Sequence, residues 1–281
     1  MPTKLILFLV CFSCAMQSAY AADKPLILGI HPYKTPSKLI KAFTPLAEHI
    51  SKVINKPVEI RISKDYQTHI ENIGNKKINI GYLGPASYIK LTQQYGKKPI
   101  LARLEINGKP TFQGKIIIRK DSPLQTLADL KYKRFAFGDP NSTMSHLVPR
   151  SMLMESGIKV ATELKHKFLG SHDNVALGVL TGDYDAGAVK EAVYYKYQKR
   201  GLRELATTPA LSEHLFVTCG KIPPGIHNKI ATSLLNLNDS ESGRKVLRSI
   251  KPGMTAMRSA KDSDYDNLRH ILDILNKGVQ W

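Results

Sequence analysis

Hydroxyl side chains that could bind an anion follow a strand-like run in the segment FGDPNSTMSHLVPRSML, residues 137–153. The turn residues GDP lead to Asn141, Ser142 and Thr143, any of which can cap the helix that follows. A helix start presents free backbone N–H groups and a positive dipole end, to which the two hydroxyls add donors. This chemistry suits a phosphate-like oxyanion, although an ordinary helix cap without a ligand explains the same residues.

A catalytic serine is the third interpretation of this segment. His146 follows Ser142 and Thr143 on the same predicted helix, and no nucleophile elbow is present to expose a hydroxyl. The sequence from residue 23 onward contains no G-x-S-x-G, P-loop, H-E-x-x-H or C-x-x-C motif. The residues therefore predict binding rather than catalysis, with no cofactor and no metal.

Two further strand-to-helix junctions carry suitable groups. Ser171 can cap a helix, which places His172 at its N-terminal end as a donor to an anion, whereas a plain surface histidine is the alternative. In INIGYLGPASYIK, residues 78–90, Tyr82 ends a strand and Pro85 opens a helix with free N–H groups. Tyrosines near these junctions either line a cleft or pack in the core; they are Tyr33, Tyr66, Tyr82 and Tyr88.

The elements that position these groups alternate between strand and helix. The order β-α-β-α-β-α runs from LILGIHP to PASYIKLTQQYG and then restarts, with SPLQTLADLK predicted as a helix and RFAFGD as a strand. The fold class is therefore α/β, with two lobes that are each a mostly parallel sheet flanked by helices. In such sheets ligands bind beyond the carboxyl ends of strands, so the three junctions converge on one cleft between the lobes.

The boundaries of the lobes follow from the point where the pattern restarts. We place lobe 1 at residues 23–116 plus 219–281 and lobe 2 at residues 117–218, which requires two crossover segments. The segment EHLFVTCGKIP, residues 213–223, resembles a strand that returns to lobe 1, and a helical tail follows it.

The first 22 residues have the pattern of a cleaved secretory signal peptide. Lys4 precedes an apolar run that ends in SAYA, a small-x-small cleavage pattern, so we expect a periplasmic protein. A lipoprotein is the less favoured alternative, because the residues before Cys11 and Cys14 do not fit a lipidation site. Cys219 is then the one remaining cysteine, and its apolar surroundings predict a buried, inert thiol.

The net charge of +18 narrows the class of partner. Lysine and arginine are scattered singly or in pairs, and an exported chain without a nucleic-acid module is not expected to bind nucleic acid. A solvated basic surface explains the charge, and so does a field that favours anionic ligands or an anionic membrane face. Charge alone does not distinguish these interpretations.

Three segments resemble the phosphate/phosphite/phosphonate substrate-binding proteins of ABC transporters. They are ISKDYQTHIENIGNKKINIGYLGPASYI, IIIRKDSPLQTLADLKYKRFAFGDPNSTMSHLVPRSML and LGSHDNVALGVLTGDYDAGAVKEAVY. The resemblance covers roughly residues 25–255 and implies a type II periplasmic-binding-protein fold, in which two lobes close on a ligand. It also implies a monomer that delivers its ligand to a permease, or a sensing subunit that reports to a membrane receptor.

The resemblance also implies ligand contacts. Ser142 and Thr143 match the first two positions of the family's Ser-Thr-Ser-Gly segment, while Met144 replaces the third serine and Ser145 stands where glycine is usual. The family histidine matches His172. The tyrosine of the family's DY segment matches Tyr66.

Lys190 and Glu191 lie near the position where phosphonate-binding members carry an acidic residue that holds the ligand's amine. A lysine that faces the cleft favours a ligand with more negative charge and no amine. The leading prediction is therefore an exported protein, not an enzyme, that captures a phosphonate, phosphite or phosphate. An exported phosphoester-processing enzyme and a basic membrane-surface protein are the alternatives from other classes.

Overall fold

The computed structural model describes residues 24–219 and 222–277, and the predicted signal peptide (residues 1–22) lies outside them. The first part of the chain alternates between strand and helix as the sequence predicts. Its elements are β1 (Leu26–Ile30), α1 (Pro36–Ile54), β2 (Val58–Ile62), α2 (Tyr66–Gly74), β3 (Ile80–Leu83), α3 (Pro85–Tyr95) and β4 (Ile100–Ile106). Helix α1 turns an apolar face inward, since Leu39 and Phe43 are fully buried.

The second part of the chain repeats this alternation. Its elements are β5 (Thr111–Phe112), β6 (Gly114–Arg119), β7 (Arg134–Phe137), α4 (Val148–Glu155), α5 (Val160–Glu163), β8 (Lys165–Phe168), α6 (His172–Leu180), β9 (Ala186–Lys190), α7 (Glu191–Gln198) and β10 (Leu202–Thr207). The prediction of a helix in SPLQTLADLK is wrong, because the segment forms only a 3-10 turn at Ala128–Leu130. The Asp129 carboxylate accepts the N–H groups of Gln125 and Thr126, which closes a local turn instead.

The last part of the chain returns to the first lobe. Its elements are β11 (Leu211–Ser212), β12 (Leu215–Thr218), α8 (Pro224–Leu235), α9 (Glu241–Ile250), β13 (Met254–Arg258) and α10 (Asp266–Lys277). The predicted return of residues 213–223 is confirmed, since β12 pairs with β3 and β4.

Two larger sheets form the two lobes. The first has the strand order β13-β4-β12-β3-β1-β2 and the second has the order β10-β6-β9-β7-β8. In each sheet three neighbouring strands are parallel, and an antiparallel strand separates them from the rest. The α/β fold of two lobes is confirmed, with sheets that are mixed rather than uniformly parallel.

The two crossovers pair with each other. Strands β5 and β11 form a short antiparallel ladder in which Phe112 faces Leu211. The predicted lobe boundaries are wrong by a few residues, because β6 already belongs to the second sheet at Gly114 and β12 belongs to the first sheet from Leu215. The sequence TFQGKIIIR does not mark the boundary between β5 and β6, because strand-forming residues continue without a break through both.

Helix α9 packs so closely against the preceding turn that Gly243 leaves no room for a side chain. A Cβ atom at Gly243 would lie 2.0 Å from the backbone oxygen of Leu237. The helix must keep this position because Lys251, which follows its last turn, pairs with the buried Glu213 beside the second crossover.

We expect Gly243→Ala to lower the free energy of unfolding by about 1–3 kcal/mol, because backbone rather than a flexible side chain must move. Thermal unfolding measures the loss. The control is Gly225→Ala in α8, where a Cβ atom would meet no described atom within 4 Å. That change should be neutral or stabilise by up to about 1 kcal/mol. Equal effects of the two substitutions would contradict the prediction.

Candidate functional site

A small cavity lies between the lobes where the carboxyl ends of strands from both sheets meet. It is lined by His31, Tyr33, Tyr66, Gly84, Ser87, Phe112, Asn141, Ser142, Thr143, Met144, His172, Lys190 and His214. We call it the interlobe cavity. The volume open to the centre of a water molecule is about 20 Å³. A sphere of that volume, widened by the radius of water, gives a chamber of about 3 Å radius.

Two hydroxyls in the cavity wall are oriented by the backbone. The Ser142 oxygen accepts the N–H of Ser145 at 3.3 Å, and the Thr143 oxygen accepts the N–H of Ala86 at 3.1 Å. With an acceptor position of each oxygen occupied, both hydroxyl protons can point to a ligand. A turn of π-helix follows at Thr143–Leu147, and the N–H groups of Thr143 and Met144 at its start have no partner within it, so they add donors.

The same contacts hold the lobes together. Thr143 belongs to the second lobe and Ala86 lies in the first turn of helix α3 in the first lobe, so their hydrogen bond crosses the cleft. Lys90 of α3 likewise donates to the Asn141 side chain at 2.9 Å. The lobes therefore lie in a closed arrangement around the cavity.

His172 is held as a neutral donor. The backbone N–H of Lys190 donates to Nδ1 of His172 at 3.1 Å, so the ring proton lies on Nε2. Burial, with the nearby charge of Lys190, lowers the pKa of His172 to about 3. Ser171 caps helix α6 by accepting the N–H of Asn174, as predicted, which fixes the histidine at the helix start.

Lys190 supplies the positive charge of the cavity wall. It ends strand β9, and its ammonium group lies 5.2 Å from the centre of the Tyr33 ring. Burial lowers the pKa of Lys190 to about 7, with a further contribution from Lys251, while Glu213 acts in the opposite direction. An anion in the cavity would restore the charged form of this lysine.

A buried carboxylate lies behind the wall. Glu213 is about 1% exposed, and its two oxygens pair with Lys251 and with Nδ1 of His214, each at 2.6 Å. Burial acts to raise the pKa of Glu213, but Lys251 and His214 outweigh it and hold that pKa well below its usual range. Glu213 therefore stays ionised and positions the His214 ring against the cavity.

The sequence predicts nine ligand-binding residues, of which three, Tyr82, Ser145 and Glu191, lie outside the cavity lining. The six that line the interlobe cavity are Tyr33, Tyr66, Ser142, Thr143, His172 and Lys190. Tyr82 lies in the core, packed on Phe43 and Phe216. Ser145 is fully buried, with its oxygen against Gly138. Glu191 begins helix α7 and its N–H bonds the Gln113 carbonyl.

Sequence reasoning missed two histidines of the wall. His31 directly follows β1, so the rule that strand ends face the cleft could have identified it. His214 lies in the second crossover, where its position depends on the pairing of β5 with β11. No local signal marks that position.

The described ranges contain neither a metal-binding cluster nor a membrane-spanning helix. No cluster of three or more histidine, cysteine, aspartate or glutamate side chains within residues 24–219 and 222–277 is arranged to hold a metal ion. Nor does any helix in those ranges combine the length and apolar character needed to cross a bilayer.

Known proteins share this architecture. A family model described as the periplasmic substrate-binding protein of phosphonate ABC transporters matches residues 28–265. The phosphate-import protein PhnD of Mycolicibacterium smegmatis is 22% identical over 299 residues, which span 94% of this chain and 93% of that protein. The probable ABC transporter phosphite binding protein PhnD1 of Prochlorococcus marinus is 23% identical over 288 residues, which span 95% of each chain.

A solved structure agrees with the fold. The structure of PhnD1 from Prochlorococcus marinus in complex with methylphosphonate has a TM-score of 0.82 at 24% identity, and the match covers 90% of this chain and 99% of that chain. The resemblance stated from the sequence is confirmed. Since the family model spans most of the chain, this protein belongs to the periplasmic substrate-binding proteins of phosphonate ABC transporters.

Proposed function

We propose that this protein binds one small tetrahedral phosphorus oxyanion in the interlobe cavity and delivers it to an ABC permease. The observation that carries the proposal is the convergence of donors from the second lobe on a chamber of about 3 Å radius. These donors are the Ser142 and Thr143 hydroxyls, two backbone N–H groups, His172 Nε2–H and the Lys190 ammonium.

The size of the chamber favours a compact ligand. A central atom with four substituents of one heavy atom or fewer fills a sphere of about 3 Å radius, so phosphate, phosphite and methylphosphonate fit. Longer phosphonates require the lobes to separate, which would break the bond between Thr143 and Ala86.

The charge of the wall favours a ligand without an amine. Among the described residues that line the cavity none is a carboxylate, and Lys190 is a cation. The carboxylate of Glu213 is already paired with Lys251 and His214. A zwitterionic aminophosphonate would therefore bring its ammonium group toward Lys190 without a counter-charge.

Closure couples ligand capture to delivery. The ligand contacts both lobes, so it stabilises the closed arrangement more than any open one. A permease that recognises the closed surface would then accept loaded protein preferentially. Export to the periplasm, argued from the signal peptide and from the family, places the protein where such a permease is reached.

A thermal-shift panel tests the ligand class. Phosphate, phosphite and methylphosphonate should raise the melting temperature, and at about 100 times Kd the shift should be about 5–10 °C. The amine-bearing 2-aminoethylphosphonate should give a smaller shift at the same concentration. A panel in which no phosphorus oxyanion stabilises the protein would contradict the proposed function.

Lys190→Gln should weaken phosphate binding by about 10- to 100-fold, because a charge-assisted hydrogen bond is lost. The free lysine has a pKa of about 7 that a bound anion raises, so wild-type affinity should fall as pH rises above about 7. Lys190→Gln should remove this part of the pH dependence. Isothermal titration calorimetry measures both effects.

The matched control is Lys196→Gln. Lys196 lies on helix α7 at the mouth of the same cleft, is exposed, and pairs with Asp173 rather than facing the cavity. Its loss should change affinity by about threefold or less at physiological salt. If both lysine variants weaken binding equally, the basic surface as a whole attracts the anion and Lys190 has no special contact.

A further inference from the structure

The His31 ring presents a hydrogen-bond acceptor to the interlobe cavity, whereas Ser142, Thr143 and His172 present donors. His31 is about 1% exposed, and its Nδ1 lies 3.1 Å from the Tyr82 carbonyl oxygen. A carbonyl oxygen only accepts, so Nδ1 carries the proton and Nε2 of the neutral ring is an acceptor. That Nε2 atom is buried without a hydrogen-bond partner, in a ring that lines the cavity.

The surroundings of His31 keep the ring neutral. Burial lowers the pKa of His31 well below its usual range, and His214, His69 and Lys190 lower it further. The groups packed around His31 are aromatic or imidazole rings, and the Glu213 carboxylate beside them is paired with His214. The distances between ring centroids are 4.8 Å to Tyr66, 4.9 Å to Tyr33, 5.2 Å to Tyr82, 5.6 Å to His214 and 6.2 Å to His69.

His214, which lies beside His31, also presents an acceptor nitrogen. Its Nδ1 donates to the Glu213 carboxylate, so Nε2 of the neutral ring also accepts. Burial lowers the pKa of His214 despite the neighbouring Glu213. The His214 ring is stacked on His31 with an interplanar angle of 22°. One side of the cavity therefore presents acceptors, while Ser142, Thr143 and His172 present donors on the other.

An oxyanion that has lost all its acidic protons would place a negative oxygen against these lone pairs. We infer that the cavity selects an oxyanion that retains one acidic hydrogen and donates it, as a P–OH group, to Nε2 of His31. The remaining oxygens then receive the hydroxyl, amide, imidazole and ammonium donors. The inference rests on the proposed function and adds the protonation state to it.

The requirement for a P–OH group limits the ligands to protonated phosphorus oxyanions. Hydrogen phosphate, dihydrogen phosphate, hydrogen phosphite and hydrogen methylphosphonate each carry such a hydroxyl. Sulfate has the same size and shape but no proton near neutral pH. A site with a fixed, buried acceptor rejects the analogue that lacks the matching donor, because the acceptor is then left unpaired.

Calorimetry of the full chain at pH 6 with phosphate, phosphite and sulfate tests the inference. Sulfate should bind at least about 100-fold more weakly than the tighter phosphorus oxyanion. His31→Gln should reduce this difference at least about tenfold, because its amide can donate to an oxygen that has no proton. Sulfate binding within about threefold of the phosphorus oxyanion in the unchanged protein would overturn the inference.

His69→Gln is the matched control. His69 is buried beside His31 and its Nε2 bonds the same Tyr82 oxygen at 3.0 Å, but its ring lies outside the cavity wall. This variant should keep the difference between phosphorus oxyanion and sulfate. If both variants lose the preference over sulfate equally, the packing around the Tyr82 carbonyl, rather than the His31 acceptor, sets the selectivity. That result would also overturn the inference.

The pH dependence of ligand affinity in the unchanged protein tests the inference even if His31→Gln does not fold. The phosphite dianion has no hydroxyl, so phosphite affinity for the unchanged protein should fall about tenfold per pH unit above the second pKa of phosphite. Deprotonation of Lys190 weakens the binding of every anion equally. The phosphate dianion keeps one hydroxyl, so phosphate affinity should fall less steeply with pH than phosphite affinity. Parallel pH profiles for the two ligands would overturn the inference. Binding of no oxyanion at all would instead contradict the proposed function.

Discussion

Four polar side chains in the interlobe cavity, those of Ser142, Thr143, His172 and His31, each have one hydrogen-bonding position fixed by the backbone, and that constraint decides whether each presents a donor or an acceptor. N–H groups occupy an acceptor position on Ser142, on Thr143 and on His172, which leaves their protons free for the cavity. A carbonyl group occupies the donor of His31, which leaves a lone pair of that ring for the cavity. Buried polar atoms need partners, so the main chain has already set the pattern of donors and acceptors that an occupant of the cavity would have to match.

The paired crossovers make this arrangement compatible with two separate lobes. Glu213 lies between β11 and β12, and it joins Lys251 after helix α9 to the His214 ring in the cavity wall. This buried carboxylate is costly to disrupt, because removal of Lys251 would leave its charge without a compensating cation. The fold thus ties the position of His214 to the packing of α9, far along the chain. Among the described residues that line the cavity, Lys190 is a lysine and none is a carboxylate.

Local sequence patterns were enough to predict the alternation of strands and helices, because buried strands and amphipathic helices have distinct periods. They also located Ser142, Thr143 and His172, since each lies where a strand end meets a helix start. Other features depend on contacts between distant residues. Ser145 sits one position from Met144 yet points into the protein against Gly138, and His214 reaches the cavity only through the pairing of the crossovers. No single stretch of sequence encodes such placements.

Met144 shows how the site tolerates a departure from the family pattern. Its side chain is about 1% exposed and packs in one apolar cluster with Leu83 and Ala86 of the first lobe. Full burial of such a side chain contributes about 1.5–3 kcal/mol, and opening of the lobes would expose part of it. The methionine therefore favours closure by apolar contact where a serine would offer a hydroxyl. Its backbone N–H still lies in the first turn of the helix at Thr143–Leu147, so the cavity wall keeps the donor that the main chain supplies.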